Sequence, residues 1–305
     1  MLRHLRHPWQ SLKRLITRRN LQRHPNQRGA HLFPPGHFYS PLLSIDSLPE
    51  GDSHLPHDDA ELWEHVDLCL DSQRSLFTSL LALPDPLPFP PNPSQGFRYH
   101  YQNDWFPLAD AWLLSSLIRH QKPQRIIEVG SGFSTAVMLD TIDREQAPIS
   151  ITCIEPYPDR LLGLLSPEDR SRISLVKKSV QEVSLDLFQS LRPGDFLFID
   201  SSHVAKIGSD VAFLFLKILP SLAPGVWIHI HDMFYPESYP ASWIREGRAW
   251  NESLFLRALL LGNTQFEVSA FSSHALSTFP ADFWAPFPAF RTHPGCSLWM
   301  RRVAT

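Results

Sequence analysis

Residues 125–135 read Arg-Ile-Ile-Glu-Val-Gly-Ser-Gly-Phe-Ser-Thr, and this stretch decides how the chain folds. Most of its first five residues are β-branched and apolar, and a glycine ends the run, which predicts a short buried strand. Gly130 and Gly132 let the backbone turn sharply and approach a ligand, and Ser134 and Thr135 can begin a helix whose free N–H groups point into the same space. The turn either binds a ligand or only connects the two elements.

A second run of the same kind spans residues 149–155 and ends in Glu155, 25 positions after Gly130. The carboxyl ends of parallel strands meet at one edge of a sheet, so one ligand can contact the turn after the first strand and the acid after the second. A carboxylate at that position suits the hydroxyl pair of a ribose. NAD enzymes and methyltransferases share this plan, so both classes remain open at this point.

Strand and helix patterns alternate from residue 104 onward, which favours a parallel sheet covered by helices on both faces. The last two strands follow each other across one connection, which favours an antiparallel pair. Helices are predicted at residues 104–120, where the pattern is amphipathic, and at residues 134–141, 159–165, 210–219 and 250–261. Strands are predicted at residues 125–129, 149–155, 173–176, 195–200, 226–232, 266–271 and 296–301.

At these motifs the sequence resembles the class I S-adenosylmethionine-dependent methyltransferases. Residues 128–132 are similar to their first motif, and Thr135 stands where a dinucleotide fingerprint needs a third glycine. The resemblance implies an α/β, Rossmann-like, doubly wound and mostly parallel seven-stranded sheet with an antiparallel terminal strand, after a helical N-terminal extension. Residues 177–182 fall where these enzymes present their adenine pocket. The implied donor-binding residues are Glu128, Gly130, Ser131, Gly132, Ser134, Glu155, Ser179, Val180 and Asp200.

Ionisable residues follow the fourth and fifth predicted strands, in Asp200-Ser-Ser-His203 and His229-Ile-His-Asp232. Such a density of charge at the carboxyl edge of a sheet costs too much to bury for packing alone. In one interpretation Asp200, His231 and Asp232 hold a divalent metal. In the other the site is metal-free, and His203 or His231 removes a proton from the acceptor.

These residues also resemble the site of small-molecule O-methyltransferases of the catechol and macrolide-sugar types. Asp200 and Asp232 match metal-ligand positions, whereas His231 replaces an acid of the macrolide-sugar type and Met233 replaces an amide of the catechol type. Nitrogen in place of oxygen favours a transition metal over magnesium. Over residues 97–301 the chain is also similar to a bacterial methyltransferase group that shares Ile-Glu-Val-Gly-Ser-Gly-Phe-Ser-Thr, Phe-Ile-Asp-Ser-Ser-His and His-x-His-Asp-Met/Ile-Phe.

Composition favours a folded protein without a transmembrane helix. The chain has 305 residues, of which 43% are apolar and 19% charged, so it can bury a large core. Its apolar runs are shorter than the ~18 to 20 residues that span a bilayer. The three widely spaced cysteines predict neither a disulfide framework nor a zinc ribbon, which fits a reducing cytoplasm.

Residues 1–28 are basic, whereas the rest of the chain is acidic. They contain eight lysines and arginines and no acid, and the remaining 20 basic residues stand against 31 acidic ones, a balance of −11. Apolar residues recur among these charges at helical spacing, which is compatible with an amphipathic helix on an anionic membrane face. The alternative is a solvated tail.

Three segments describe the domain organisation that we predict. Residues 1–30 form a basic tail, residues 31–96 an N-terminal extension or lid with a proline-rich connector, and residues 97–305 the methyltransferase domain. The extension contains an ordered loop at 34–41 and one or two helices within 58–83, and six prolines lie between Pro84 and Pro93. Residues 243–250 and 279–287 follow sheet strands as insertions, where substrate lids are commonly found.

The sequence thus predicts methyl transfer from S-adenosylmethionine to an oxygen of a small-molecule or glycan-like acceptor. The donor's sulfonium is already activated, so the protein must place the acceptor in line and remove its proton, with His203 and His231 as candidate catalytic residues. One alternative is an NAD-dependent oxidoreductase on a related fold, and another is a non-catalytic cofactor-binding scaffold. We expect no nucleic-acid partner and a cytoplasmic location; peripheral membrane contact through residues 1–28 stays open as the alternative to a solvated tail.

Overall fold

The computed structural model describes residues 33–48, 60–84, 89–279 and 287–304. Seven strands form one sheet in the order β3-β2-β1-β4-β5-β7-β6. β1 to β5 are parallel to their neighbours, and β7 is antiparallel to both β5 and β6. The predicted fold class is therefore confirmed, including the antiparallel pair. The strands are β1 Arg125–Val129, β2 Ser150–Ile154, β3 Ile173–Val176, β4 Phe196–Ile199, β5 Trp227–Ile230, β6 Phe266–Phe271 and β7 Leu298–Arg302.

Both faces of the sheet are buried, because successive side chains of the central strands enter two different apolar clusters. Ile126 and Phe198 pack with Trp112 in one cluster, whereas Ile127 and Ile199 pack in the other. This alternation follows from the two-residue period of a strand. It explains why the strands read as continuous apolar runs, as parallel strands covered by helices on both sides do.

The helices connect and cover the strands much as predicted, with four additions, at Pro167–Arg172, Leu185–Gln189, Ala241–Arg245 and Ser272–Thr278. The last of these forms part of the connection between β6 and β7. The helices are α1 Leu70–Leu81, α2 Leu108–Gln121, α3 Phe133–Glu145, α4 Asp159–Leu164, α5 Pro167–Arg172, α6 Leu185–Gln189, α7 Asp210–Phe213, α8 Leu219–Ser221, α9 Ala241–Arg245, α10 Glu252–Leu260 and α11 Ser272–Thr278. Four 3₁₀ turns cover Ile45–Ser47, Ala60–Trp63, Val180–Glu182 and Pro288–Arg291.

Two helices differ from their predicted form. We predicted an amphipathic helix at 104–120, but every residue of α2 from Leu108 to Ile118 is buried, because it packs against α1, α3, α11 and the 3₁₀ turn at 288–291. We predicted one regular helix at 210–219, but a π-helical segment, Leu214–Ile218, separates α7 from α8. Pro220 has no N–H to donate to the preceding turn, which favours irregular hydrogen bonding there.

The described residues fall into two compact units. Residues 33–48 and 240–249 belong to the smaller one, which contains α9 and a loop in which the ring of Phe33 stacks on His37 at 4.6 Å. The rest of the described chain, including the sheet, belongs to the larger unit. The division at residues 30 and 96 stays a prediction.

Several sequence expectations fall on residues that the structure does not describe. The basic segment 1–28, part of the proline connector (85–88) and most of the predicted lid at 279–287 lie outside the described residues. Within the described chain, none of the helices combines the length and the apolar character needed to cross a membrane.

Candidate active site

The glycine turn after β1 lies against the chain that leaves β4. Gly130 has a φ of 80°, and a Cβ built on it would lie 1.7 Å from the backbone oxygen of Asp200. Only glycine tolerates both this conformation and this approach. A Cβ on Gly132 would lie 3.3 Å from Cδ of Arg160, at the start of α4. The turn is thus the point at which β1, β2 and β4 come together.

Glu128 lies beneath this turn and is fully buried. The hydroxyl of Ser134 donates to one of its carboxylate oxygens at 2.6 Å, and the hydroxyl of Thr135 donates to the other. Burial raises the pKa of Glu128 to about 7, although these hydrogen bonds work in the opposite direction. The Thr135 hydroxyl also accepts a hydrogen bond from the N–H of Gly132. Thr135, which replaces the third glycine of a dinucleotide fingerprint, therefore links the turn to Glu128 in β1.

Glu155, just after β2, is joined directly to the turn. Its carboxylate accepts hydrogen bonds from the backbone N–H groups of Ser131 at 3.2 Å and Tyr157 at 2.8 Å. Ser179 and Val180 lie one strand further along, after β3. Ser179 donates its hydroxyl to Glu182, and the Val180 side chain packs into the core. The other predicted donor-binding residues therefore lie just after the carboxyl ends of β1 to β4, whereas Glu128 is buried within β1 beneath the turn.

Four predicted residues converge at the ends of β4 and β5. Nε2 of His203 lies 3.4 Å from the Asp200 carboxylate and 3.3 Å from that of Asp232. Nδ1 of His231 lies 3.6 Å from each of the same two carboxylates. Asp200 has the most exposed side chain of the four, at 30%. Two imidazoles thus share two carboxylates at a place that solvent can reach.

A fully buried carboxylate contacts the remaining nitrogen of each imidazole, and neither carboxylate was predicted from the sequence. Glu252, at the start of α10, lies 2.9 Å from Nδ1 of His203. Asp110, in the first turn of α2, lies 3.3 Å from Nε2 of His231 and also accepts from the backbone N–H of Cys296 at 2.8 Å. The available signal for Asp110 was a single acid among the mostly apolar residues Leu108–Ile118.

Cys296 is buried beside this cluster. Its sulfur lies 3.4 Å from Asp110, 3.6 Å from Nε2 of His231 and 3.3 Å from Asp232. Burial raises the pKa of the Cys296 thiol well above its usual value, so it is a neutral donor to the carboxylates. It contributes to holding Asp232 and His231 in place.

The third histidine of the two motifs, His229, does not join the cluster. Its ring stacks on Phe198 at 3.7 Å, and its Nε2 lies 2.9 Å from the hydroxyl of Ser297. Burial lowers the pKa of His229 well below its usual value. We expected up to three imidazoles at this edge, but His229 is a neutral residue of the core.

The carboxylates dominate the electrostatics of the site. Burial alone would lower the pKa of His203, but hydrogen bonds to Asp200 and Glu252 outweigh it and raise the pKa to about 10. The pKa of His231 is raised for the same kind of reason, and the pKa of Asp200 is lowered because the two imidazoles outweigh its partial desolvation. Four carboxylates face two imidazoles, so acidic groups outnumber basic ones in this cluster.

The backbone is strained at both ends of this cluster. His203 has a φ of 59° and Asp232 a φ of 56°, in the left-handed region that non-glycine residues seldom adopt. Such conformations cost of order 1 to 3 kcal/mol and concentrate at functional sites. The strain marks these two positions as places where side-chain direction matters more than local stability.

Strand order and site together define a Rossmann-like methyltransferase fold, with β7 antiparallel between β5 and β6 and a glycine turn and an acid at the ends of β1 and β2. A family model described as "Methyltransferase domain" matches residues 127–233. An uncharacterized protein of Archaeoglobus fulgidus is 31% identical over 167 residues, which cover 52% of this chain and 74% of that protein. The chain belongs to the class I S-adenosylmethionine-dependent methyltransferases.

Similar solved structures include two methyltransferases. The SAH-bound methyltransferase PaMTH1 of Podospora anserina is 15% identical with a TM-score of 0.43, over 80% of this chain and 93% of that chain. The O-methyltransferase TomG of Streptomyces achromogenes, in complex with SAM, is 12% identical with a TM-score of 0.37, over 78% of this chain and 90% of that chain.

Proposed function

We propose that this methyltransferase transfers the methyl group to a hydroxyl oxygen of a small-molecule or glycan-like acceptor. The observation that carries the proposal is the cluster of Asp200, His203, His231 and Asp232 beside the glycine turn, where Gly130 meets the Asp200 backbone. A hydroxyl needs its proton removed as it attacks, and imidazoles near the donor can serve that purpose. An acceptor nitrogen or carbon makes less use of such a cluster.

The residues at the ends of β1 and β2 fit the donor, S-adenosylmethionine, which supplies the methyl group on an activated sulfonium. Glu155 would bind the ribose hydroxyls, because its carboxylate lies at the sheet edge beside the turn. The Gly130–Gly132 turn would contact the amino-acid end, with Ser131 and Ser134 beside it. Glu128 supports the turn from below through Ser134 and Thr135. Ser179 and Val180 would border the adenine, and Asp200 the reacting end.

We propose His203 as the general base, acting from the neutral form of its imidazole, which its raised pKa makes the minor form at neutral pH. Its Nε2 faces both Asp200 and Asp232, at the place where Asp200 is open to solvent. His231 is 2% exposed and contacts the same carboxylates from the core side, so its proposed role is to bind and orient. An acceptor hydroxyl that enters beside Asp200 would meet His203 first.

Asp200, His231 and Asp232 offer the donor atoms that a divalent metal needs, within 4.8 Å of one another. The excess of carboxylates over imidazoles in the cluster favours a cation there, and the nitrogen ligand favours a transition metal over magnesium. Such an ion would lower the pKa of an acceptor hydroxyl bound to it. His203, with its nitrogen on the same carboxylates, would then receive the proton.

The test is methyl transfer from isotopically labelled S-adenosylmethionine to a panel of phenols, sugars and polyols, with amines and thiols as matched acceptors. We expect label in an O-methyl product and at least a hundredfold loss in the His203→Asn variant, a substitution that tolerates the positive φ of this position. His65→Asn, a change at an exposed histidine, is the control. Label found only in N- or S-methyl products would refute the proposal.

A further inference from the structure

Residues 250–252, which we name the His203 brace, hold the loop after β4 through both backbone and side chains. The backbone N–H groups of Asn251 and Glu252 both donate to the carbonyl of His203, at 3.0 and 3.2 Å. The Asn251 side chain accepts from the N–H of Ala205 at 2.6 Å and donates to its carbonyl at 3.2 Å. The ring of Trp250 lies 4.4 Å from that of His203. The brace therefore fixes the His203 backbone in its strained conformation.

Within the brace, packing does not explain why Glu252 is buried. Its side chain is fully buried, and one carboxylate oxygen contacts Nδ1 of His203 at 2.9 Å. The other oxygen, Oε1, has no hydrogen-bond partner in the described part of the chain. A buried carboxylate with an unused acceptor is costly. Its burial therefore costs stability, and its contact with His203 points to a role in the site.

We propose that Glu252 is a positioning residue for methyl transfer, which binds Nδ1 of His203 so that Nε2 faces the acceptor beside Asp200 and Asp232. This inference rests on the proposed role of His203 as the base. Glu252 fixes the orientation of the ring, and it lies closer to Nδ1, at 2.9 Å, than Asp200 and Asp232 lie to Nε2, at 3.4 and 3.3 Å, so in the neutral ring the proton favours Nδ1. Glu252 touches neither donor nor acceptor, and it acts through His203.

The proposal separates Glu252 from a residue that merely stabilises the fold. A structural role would lower stability and would act whether or not His203 is present. A positioning role lowers kcat and leaves the KM for donor and acceptor nearly unchanged, and its effect disappears when His203 is absent. These differences make a double-mutant cycle between the two positions the appropriate experiment.

The cycle uses Glu252→Gln, which keeps the shape of the side chain and removes its charge, together with His203→Asn and the double variant. We expect Glu252→Gln to lower kcat by about 10- to 100-fold, the usual effect of removing such a support, with KM changed by less than about threefold. The double variant should be no slower than His203→Asn alone. Glu267→Gln, whose carboxylate pairs with Arg301, is the matched control and should retain full activity. Losses that multiply in the double variant would overturn the proposal.

A second readout does not depend on the acceptor. In protein with ¹⁵N-labelled histidine, the His203 ring, assigned by comparison with His203→Asn, should show a protonated Nδ1 that shifts in Glu252→Gln. Unchanged ring signals would refute the positioning role even if activity fell. If the wild-type protein methylates no oxygen while the ring signals respond to Glu252→Gln, then the proposed function fails and the Glu252–His203 contact stands.

Discussion

The carbonyl oxygen of Asp200 lies 1.7 Å from the point that a Cβ on Gly130 would occupy. This contact brings the turn after β1 and the chain after β4 to the same place. Gly130, in the proposed donor site, and Asp200, beside the proposed acceptor site, therefore meet through their backbones. No side chain can enter there without displacing Asp200, which is also within reach of both imidazoles.

Gly130→Ala should therefore impair both donor binding and catalysis. The methyl group collides with the Asp200 backbone, and the φ of 80° adds about 1 to 2 kcal/mol of strain. We expect a fall of several degrees in the melting temperature and at least a tenfold loss of donor affinity in calorimetry. Gly163→Ala is the control, because a Cβ there meets nothing within 4 Å. Wild-type affinity in Gly130→Ala would contradict the geometry.

Glu155→Gln should weaken donor binding without unfolding the protein. Its carboxylate would lose charge-assisted hydrogen bonds to the ribose, worth about 1.5 to 3 kcal/mol, or roughly 10- to 150-fold in affinity. Titration calorimetry with S-adenosylmethionine and S-adenosylhomocysteine measures this loss. The control is Glu145→Gln, at an acid that pairs with Arg119 on the helices, and it should bind the donor with normal affinity. Equal affinities in the two variants would remove Glu155 from the donor site.

Chelation should lower activity if Asp200, His231 and Asp232 hold a metal. Exhaustive dialysis against a chelator is followed by magnesium, manganese, iron and zinc, added one at a time, with metal content measured on the dialysed protein. We expect at least a tenfold loss, restored better by a transition metal than by magnesium because of the nitrogen ligand.

The Asp232→Asn variant should need more metal for the same activity, because it offers a neutral amide in place of a carboxylate. Asp186→Asn, at an exposed acid in the first turn of α6, should behave as wild type. A chelated enzyme with full activity, in which Asp232→Asn is nearly normal and His203→Asn is inactive, would favour the metal-free mechanism.

Stability at low pH should depend on Arg98 and Asp169. Arg98 contacts Asp169 at 2.5 Å and Asp140 at 2.9 Å, and its hydrogen bond lowers the pKa of Asp169 to about 2. An unfolded aspartate titrates near pH 3.9, so this stabilisation is complete above about pH 4 and is lost as the pH falls towards 2. Burial raises the pKa of the neighbouring Asp140, which works in the opposite direction.

Urea unfolding between pH 5 and pH 2 separates these effects. We expect the free energy of unfolding to fall less steeply with decreasing pH in Asp169→Asn than in the wild type. Arg98→Met should destabilise the protein by about 3 kcal/mol near neutral pH, because it leaves buried carboxylates without their partner. Parallel pH profiles for the wild type and Asp169→Asn would show that the ion pair does not titrate as described.

The sequence predicted the sheet because the information for each strand is local. Short apolar runs that end at a glycine or a polar residue predicted β1 to β5 nearly at their observed bounds, and acids follow β2 and β4 directly. These local patterns did not predict how deeply each residue is buried. His229 and His231 are two residues apart in one motif, yet His229 stacks in the core against Phe198, because neighbouring strands and Trp299 cover it.

By itself, the sequence determined the α/β fold, the glycine turn and the convergence of Asp200, His203, His231 and Asp232, since parallel strands must end at one edge. Only the tertiary structure decided which buried carboxylates support the imidazoles. Asp110 is 121 positions from His231, and Glu252 is 49 positions from His203. Each pair meets because a helix packs on the sheet at a particular height and rotation. Many apolar contacts along the helix set that position, so no short stretch of sequence reveals it.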